Sequence, residues 1–394
     1  MTFDKNTYRI KDVGNVIKIS MIVGILGLAV SFAGLLKNHE QFYHSYLVAF
    51  TFWTSIGLGG LFFTMLHHLT GSIWSVVIRR ISEAAALTLP VMGILFIPIL
   101  LNQHDLYHWS HHDAVAHDAI LQMKAPYLNS MFFIIRSVVY FAIWTFLAIR
   151  LAQMSKKQDE ESDNMIGLKM ARFSAPGMII FALTITFASF DWLMSLNPHW
   201  YSTIFGLYYY AGCVMGIFSF FTLTAIYLKR KGVLEGIVSV EHYHDFGKLM
   251  FTFMVFWTYM AFSQYLLIWY ANLPEETVWY HQRGVGSWKT FSLVIVFGHF
   301  AIPFFALMTR AAKRSETWLI VMALWLLLFH WLDMYWNVMP TLHPEGVSFS
   351  WMDVTTMIGF AGVFKWAFWR RYSSQPVVPI HDPKLQSSIN FVNI

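Results

Sequence analysis

The stretch FASFDWLMSLNPHWYSTIFG, Phe187 to Gly206, ends a long apolar run on an aspartate, Asp191, and follows it with Pro198, His199, Trp200 and Tyr201. The chain around it is 57% hydrophobic and only 12% charged, so the aspartate lies where a charge is scarce. In water it would need no explanation. In hydrocarbon it does, because an ionisable group at the centre of a membrane helix costs about 2.5 to 3.5 kcal/mol on insertion scales.

The membrane setting follows from what lies on either side of that stretch. Runs of about 20 apolar residues, enough to cross a hydrocarbon core of roughly 30 Å, recur along the whole sequence. They fall near 15–36, 44–68, 83–101, 127–151, 173–193, 204–228, 248–270, 288–309, 316–337 and 350–369. Lipid offers no partner to a backbone amide, so each run is expected to be a helix. The fold class is therefore an all-α integral membrane protein of about ten transmembrane helices.

Lys and Arg orient it. With the N-terminus inside, 22 of the 27 basic residues fall in inside segments and four (Lys37, Lys124, Arg283, Lys289) in outside ones, leaving Arg136 within a span. Both termini are thus expected in the cytoplasm. The net charge of +5 is this orientation signal and does not point to nucleic acid. The first run follows a basic tail but lacks a small-residue cleavage site, so it reads as a retained span. The single cysteine, Cys213, excludes an intrachain disulfide, an iron–sulfur cluster or covalently attached haem held by this chain alone.

The organisation expected is a tail over 1–14, a transmembrane domain over 15–370 and a cytoplasmic tail over 371–394, the last read from Pro376, Pro379 and Pro383 as an extended arm against a neighbour or disordered. A weak internal repeat is visible. Asp191 precedes Pro198 and His199 much as Asp333 precedes Pro340 and His343, and HSYLVAFTFWTSIGLGG aligns with YSTIFGLYYYAGCVMGI, matching Ser45 with Ser202 and Gly59 with Gly216. This suggests two parallel four-helix bundles, about 44–193 and 204–337, with the first and last spans outside them. Chance similarity between apolar helices is the alternative.

The candidate chemistry is sorted by depth. Asp191, His330 and Asp333 sit in the outer parts of their spans and Asp353 at the start of the last. Arg136 lies about nine residues into span four, roughly 14 Å deep. His67, His68 and Glu83 form an inner set, and His299 sits near the middle. One reading is a quinol pocket or proton path. The other is that the aspartates are interfacial helix ends, Asp191 facing Asp333, with Arg136 pairing one of the carboxylates. A b-type haem would need two histidines at similar depth on facing helices, for which His299 and His330 are the candidates, with hydrogen-bonded core histidines as the alternative. The outer loop His104, His108, His111, His112, His117 has the spacing of one helical face and the residue types for zinc, though an amphipathic surface helix explains it as well. No metal site is assigned.

Four segments carry a family resemblance: FDWLMSLNPHWYSTIFGLYYYAG (Phe190–Gly212), SQYLLIWYANLPEET (Ser263–Thr277), YLNSMFFIIR (Tyr127–Arg136) and HWLDMYWNVMPTLH (His330–His343). The chain resembles the NrfD/polysulfide-reductase-like membrane subunits, and most closely the second such subunit of bacterial alternative complex III, over spans two to ten. The resemblance implies a multi-pass protein of the bacterial inner membrane, in a respiratory complex that oxidises menaquinol. Electrons would pass through iron–sulfur and haem c subunits to a cytochrome c or a terminal oxidase. It implies as partners a paralogous NrfD-like subunit, an iron–sulfur subunit, haem c subunits and membrane lipids, with no redox cofactor on this chain. It also implies that the paralogue is the better quinol binder and that this chain supports assembly and a proton path. Here FDWLMSLNPHW lacks a histidine before the aspartate. A secondary transporter and a haem b cytochrome are the competing readings, and the Pro303 region is the sequence's hint of a broken transporter helix.

Overall fold

The computed structural model describes residues 10, 13–161, 163 and 165–393, and among them all regular structure is helical. Lys5, Arg9 and Lys11, used in the charge count, lie outside the described residues. Ten elements make the frame: α1 (Gly14–Ala33), α2 (His39–Thr70), α3 (the interrupted run Trp74–Leu101), α4 (Ser130–Glu160), α5 (Met165–Trp192), α6 (Phe205–Arg230), α7 (Val240–Ala271), α8 (the run Gly286–Ala306), α9 (Glu316–Val338) and α10 (Trp351–Tyr372). The faces are called inner and outer here by the charge of their loops, the basic one being inner.

Nine of these are long and apolar enough to cross a membrane. The tenth, α10, falls short because Asp353 and Lys365 interrupt its apolar surface. It runs antiparallel along α1 all the same: a Cβ on Gly27 would lie 2.7 Å from the backbone of Gly359, one on Gly24 2.7 Å from Val363 N, and Ser31 Oγ donates to Thr355 Oγ1 at 3.0 Å. Only glycine permits that approach between helices. A helix pressed against a span along its length lies at the same depth.

Caps set where the helices begin: α2 starts five residues before its apolar run, while α4 and α10 start within theirs. α2 begins at His39 because Asn38 accepts from Gln41 N (3.0 Å), α4 begins after Asn129, which accepts from Phe132 N (2.9 Å), and Ser350 caps α10 reciprocally with Asp353. Such caps satisfy orphan amides in the polar turns that a hydropathy count does not see. Two spans are broken where proline removes an amide. α3 restarts at Leu89 with Pro90 and at Ile97 with Pro98, and α8 widens into a π-helical turn over Val296–Ala301, just before Pro303. There Trp325 Nε1 donates to Gly298 O at 2.7 Å, serving a carbonyl of the widened turn.

α2 and α6 are the hub. Their apolar windows are 94% and 89% buried, against 22% for α1. They meet through small residues: a Cβ on Gly59 would lie 2.4 Å from Cys213 O, and one on Gly216 2.8 Å from Ile56 Cδ1. Under the alignment that matches Gly59 with Gly216, Ile56 corresponds to Cys213, so the two contacts are reciprocal. The bundles that the sequence suggested are joined through their first helices.

The C-terminal segment departs from expectation. It is neither extended nor loose but folded back across the inner face, because Val377, Val378 and Leu385 are buried and Asp382 finds a cation inside. Asp382 Oδ2 accepts from Arg79 Nη1 (2.6 Å), Ile380 N donates to Asp159 Oδ1 (3.1 Å), Ser388 Oγ donates to Trp74 O (2.9 Å), and Asn393 Nδ2 reaches Glu241 O of α7 (3.0 Å). The segment thus closes over both halves. Arg79 keeps Glu83, Ser155 and Gln158 when Asp382 is removed. Asp382→Ala is therefore expected to cost about 1.5 to 3 kcal/mol, the scale of one charge-assisted bond. Melting in mild detergent reads the cost, and protease nicking after Ser373 should become faster.

Candidate functional site

The two outer aspartates are built differently. Asp191, fully buried at the outer end of α5, is held by a fork: Arg136 of α4 donates from Nε to Oδ2 and from Nη2 to Oδ1, both at 2.8 Å, and Tyr140 OH adds a third bond at 2.7 Å. The third Arg136 nitrogen donates to Tyr127 O (2.8 Å), and the guanidinium lies 3.8 Å and 4.3 Å from the Tyr127 and Phe132 ring centres. Every strong demand of this charge pair is met locally. The expected pairing of Arg136 with a carboxylate is thereby resolved in favour of Asp191.

Asp333, also fully buried, pairs with no cation among the described residues. Tyr208 OH of α6 donates to its Oδ1, Trp257 Nε1 of α7 donates to Oδ2 at 3.3 Å, and Asn337 Nδ2, one turn on, stands 3.4 Å from Oδ1. All are neutral donors. Asp191 and Asp333 therefore do not face each other as a pair. Each is bonded within its own half, and no hydrogen bond joins them among the described residues. The cause is that α4 supplies an arginine to one, while α6 and α7 supply only a phenol and an indole to the other.

The remaining candidates fall around these two. His330, three residues before Asp333, turns instead toward α2, where Nε2 lies 2.8 Å from Ser55 Oγ. His299, in the widened turn of α8, has Nε2 3.2 Å from Met215 Sδ and its ring centre 3.8 Å from Trp257. Trp257 is thus shared, covering His299 with its face and donating to Asp333 with its nitrogen. Asp353 belongs to a separate outer chain: it caps α10 through Ser350 N (2.8 Å) and accepts from Ser45 Oγ (2.5 Å). His343 there holds Gln41 Oε1 at 2.7 Å, and burial lowers the pKa of that imidazole.

The inner set does not assemble as a relay. Glu83 is consumed by Arg79 (3.2 Å), Arg80 (2.7 Å) and Ser155 Oγ (2.6 Å), and Arg80 also pairs with Asp159. His67 bonds Ser75 Oγ (2.7 Å), and no hydrogen bond links either His67 or His68 to Glu83 among the described residues. The cluster is an internal ion network that joins α3, α4 and the C-terminal segment.

The histidine loop is not one helical face. It breaks into short turns at Gln103–Asp105 and His108–Ser110 and a helix over His112–His117, and among the described residues no group of three metal-ligating side chains forms. His104 and His111 stack at 3.7 Å, while His199 Nε2 sits 2.5 Å from Asp118 Oδ2, holding that carboxyl below its usual pKa.

The chain matches no family model and no curated protein.

Two features escaped sequence reading. One is the donor pair Tyr208 and Trp257, which nothing marked among so many aromatics. The other is a cleft of about 980 Å³ between α7 and α8, roofed by the helix Pro274–Arg283 and walled by Tyr208, Trp257, Gln264 and Tyr280. Gln264 bridges Ser202 Oγ (2.8 Å) and Tyr280 OH (3.1 Å). The Nε2 nitrogens of His299 and His330, the atoms that would ligate a haem iron, are turned to Met215 Sδ (3.2 Å) and Ser55 Oγ (2.8 Å).

Proposed function

We propose that this multi-pass chain is an NrfD-like membrane subunit of a respiratory complex that oxidises menaquinol and delivers the electrons, through iron–sulfur and haem c subunits on its outer side, to a cytochrome c or a terminal oxidase. Its place is beside a paralogous NrfD-like subunit in a bacterial inner membrane, with both termini cytoplasmic. It supports assembly through its fixed charges and exchanges protons through Asp333. The resemblance of the four quoted segments supports the setting.

The observation that carries the proton role is the environment of Asp333. A buried carboxyl surrounded by Tyr208, Trp257 and Asn337, with no cation against it among the described residues, is served by its neighbours whether or not it holds a proton. Asp191, forked by Arg136, is not such a group. The transporter reading draws on one observation, the π-helical turn of α8 at His299, since interrupted helices line many transport sites.

Purification in mild detergent through a tag on this chain tests the setting. Haem c and iron–sulfur proteins are expected to come with it, identified by absorbance and mass spectrometry. Recovery of the chain alone, or binding of a soluble substrate by it, would overturn the reading.

A further inference from the structure

The α7–α8 cleft is used neither by the charge pairs nor by the assembly role, and its chemistry is one-sided. Its floor is Trp257, Val296 and Phe300, and along α7 it runs outward to Asn272. That is about 22 Å at 1.5 Å per residue, more than one hydrocarbon leaflet of roughly 15 Å. Its sides are open: Phe262 of α7 and Val296 of α8 are 56% and 54% exposed, so an apolar chain can enter sideways from the bilayer.

At the outer mouth the titratable groups that line the cleft, besides tyrosines, are His281, Arg283 and Lys289, and no carboxylate lines it. Arg283 is buried. Its N–H groups donate to the carbonyls of Trp336 (3.2 Å), Trp279 (3.0 Å) and Asn337 (3.0 Å), and its guanidinium lies 3.6 Å from the Trp279 ring centre. Burial pulls its pKa down to about 9, which leaves it charged at neutral pH, and it makes no ion pair among the described residues. Lys289 is exposed at the headgroup level and makes no ion pair among the described residues.

We propose that this cleft binds an anionic phospholipid of the outer leaflet, with its phosphate at Lys289 and beneath Arg283 and an acyl chain laid between α7 and α8 down to Phe300. The apolar length fits a chain, and the uncompensated positive mouth fits a phosphate; a neutral amphiphile would leave that charge unanswered. The proposal is independent of the respiratory setting, since it uses only residues of this chain.

The test takes the chain, with whatever subunits accompany it, through delipidation in mild detergent. Phosphatidylglycerol or phosphatidylcholine of identical chains is then added, and retained lipid is counted by native mass spectrometry. Phosphatidylglycerol is expected to be retained at least about fivefold more strongly, the equivalent of about 1 kcal/mol for one basic side chain at a lipid headgroup. Lys289→Gln should erase that preference. Val296→Trp, which fills the chain slot from an exposed position, should release the lipid while the lipid-free melting temperature stays unchanged. Equal retention of the two lipids by the unaltered chain, or a full preference in Lys289→Gln, overturns the proposal. So does a neutral isoprenoid quinone that displaces phosphatidylglycerol and binds Lys289→Gln undiminished.

Discussion

Arg136→Met is expected to lower the stability of the chain by about 3 to 5 kcal/mol, the loss usual when one partner of a buried ion pair is removed and the other stays behind. The geometry places the variant in that class. Arg136 and Asp191 are bidentate at 2.8 Å, and the aspartate is fully buried. Methionine fills the stem but leaves Asp191 with Tyr140 alone. Tyr140→Phe is a control of smaller size, since single hydrogen bonds between membrane helices average about 0.6 kcal/mol. The double variant Arg136→Met with Asp191→Leu should recover much of the loss, because a buried pair exchanged for apolar groups of similar volume is often neutral. Melting in mild detergent for Arg136→Met, for Asp191→Leu and for the double variant closes the cycle. A loss within about 1 kcal/mol for Arg136→Met would show that the pair is hydrated and is not what holds α4 to α5.

The sequence reaches the helices and their order because hydropathy and loop charge are sums over many residues, and no single packing event alters them. It reaches Arg136 and Asp191 for a related reason: each is a charge in an apolar run, conspicuous wherever its partner lies. It fails where the partner decides. Asp333 looks like Asp191 in sequence, and only the residues brought to it by α6 and α7 separate a carboxyl among neutral donors from one held by a guanidinium. Tyr208 and Trp257 were invisible among 18 tyrosines and 17 tryptophans. Glu83 differs in the opposite sense, as a charge near the inner surface that reads as functional until Arg79 and Arg80 close on it. The C-terminal segment failed because its turns have no periodicity, yet Val377 and Val378 bury as completely as any core residue. Composition measures average polarity, and docking depends on a few apolar side chains and one aspartate meeting a waiting arginine.

On the proposed respiratory role, Asp333→Asn is expected to leave the complex assembled and to cut quinol-dependent turnover or proton release by at least tenfold, a conservative figure beside the roughly 10²- to 10⁴-fold that positioned proton-transfer groups contribute. The amide keeps the shape of the carboxyl, and its oxygen still accepts from Tyr208 or Trp257, so the change in melting should stay under about 1 kcal/mol. What disappears is the ability to take up and release a proton. Asp191→Asn is expected to behave in the reverse way, with assembly weakened because Arg136 is left without a counter-charge, and with turnover per assembled complex preserved. The pair of variants separates the two roles only if assembly is counted beside rate, through co-purified haem c per chain. Trp257→Phe supplies the third arm: it removes one donor from Asp333 and keeps an aromatic face on His299, so it should shift the pH profile of turnover rather than abolish it. Unchanged turnover and an unchanged pH profile in all three, at full assembly, would mean that Asp333 is held by its neighbours only to join α9 to α6 and α7, and that the chain acts in the membrane as a scaffold.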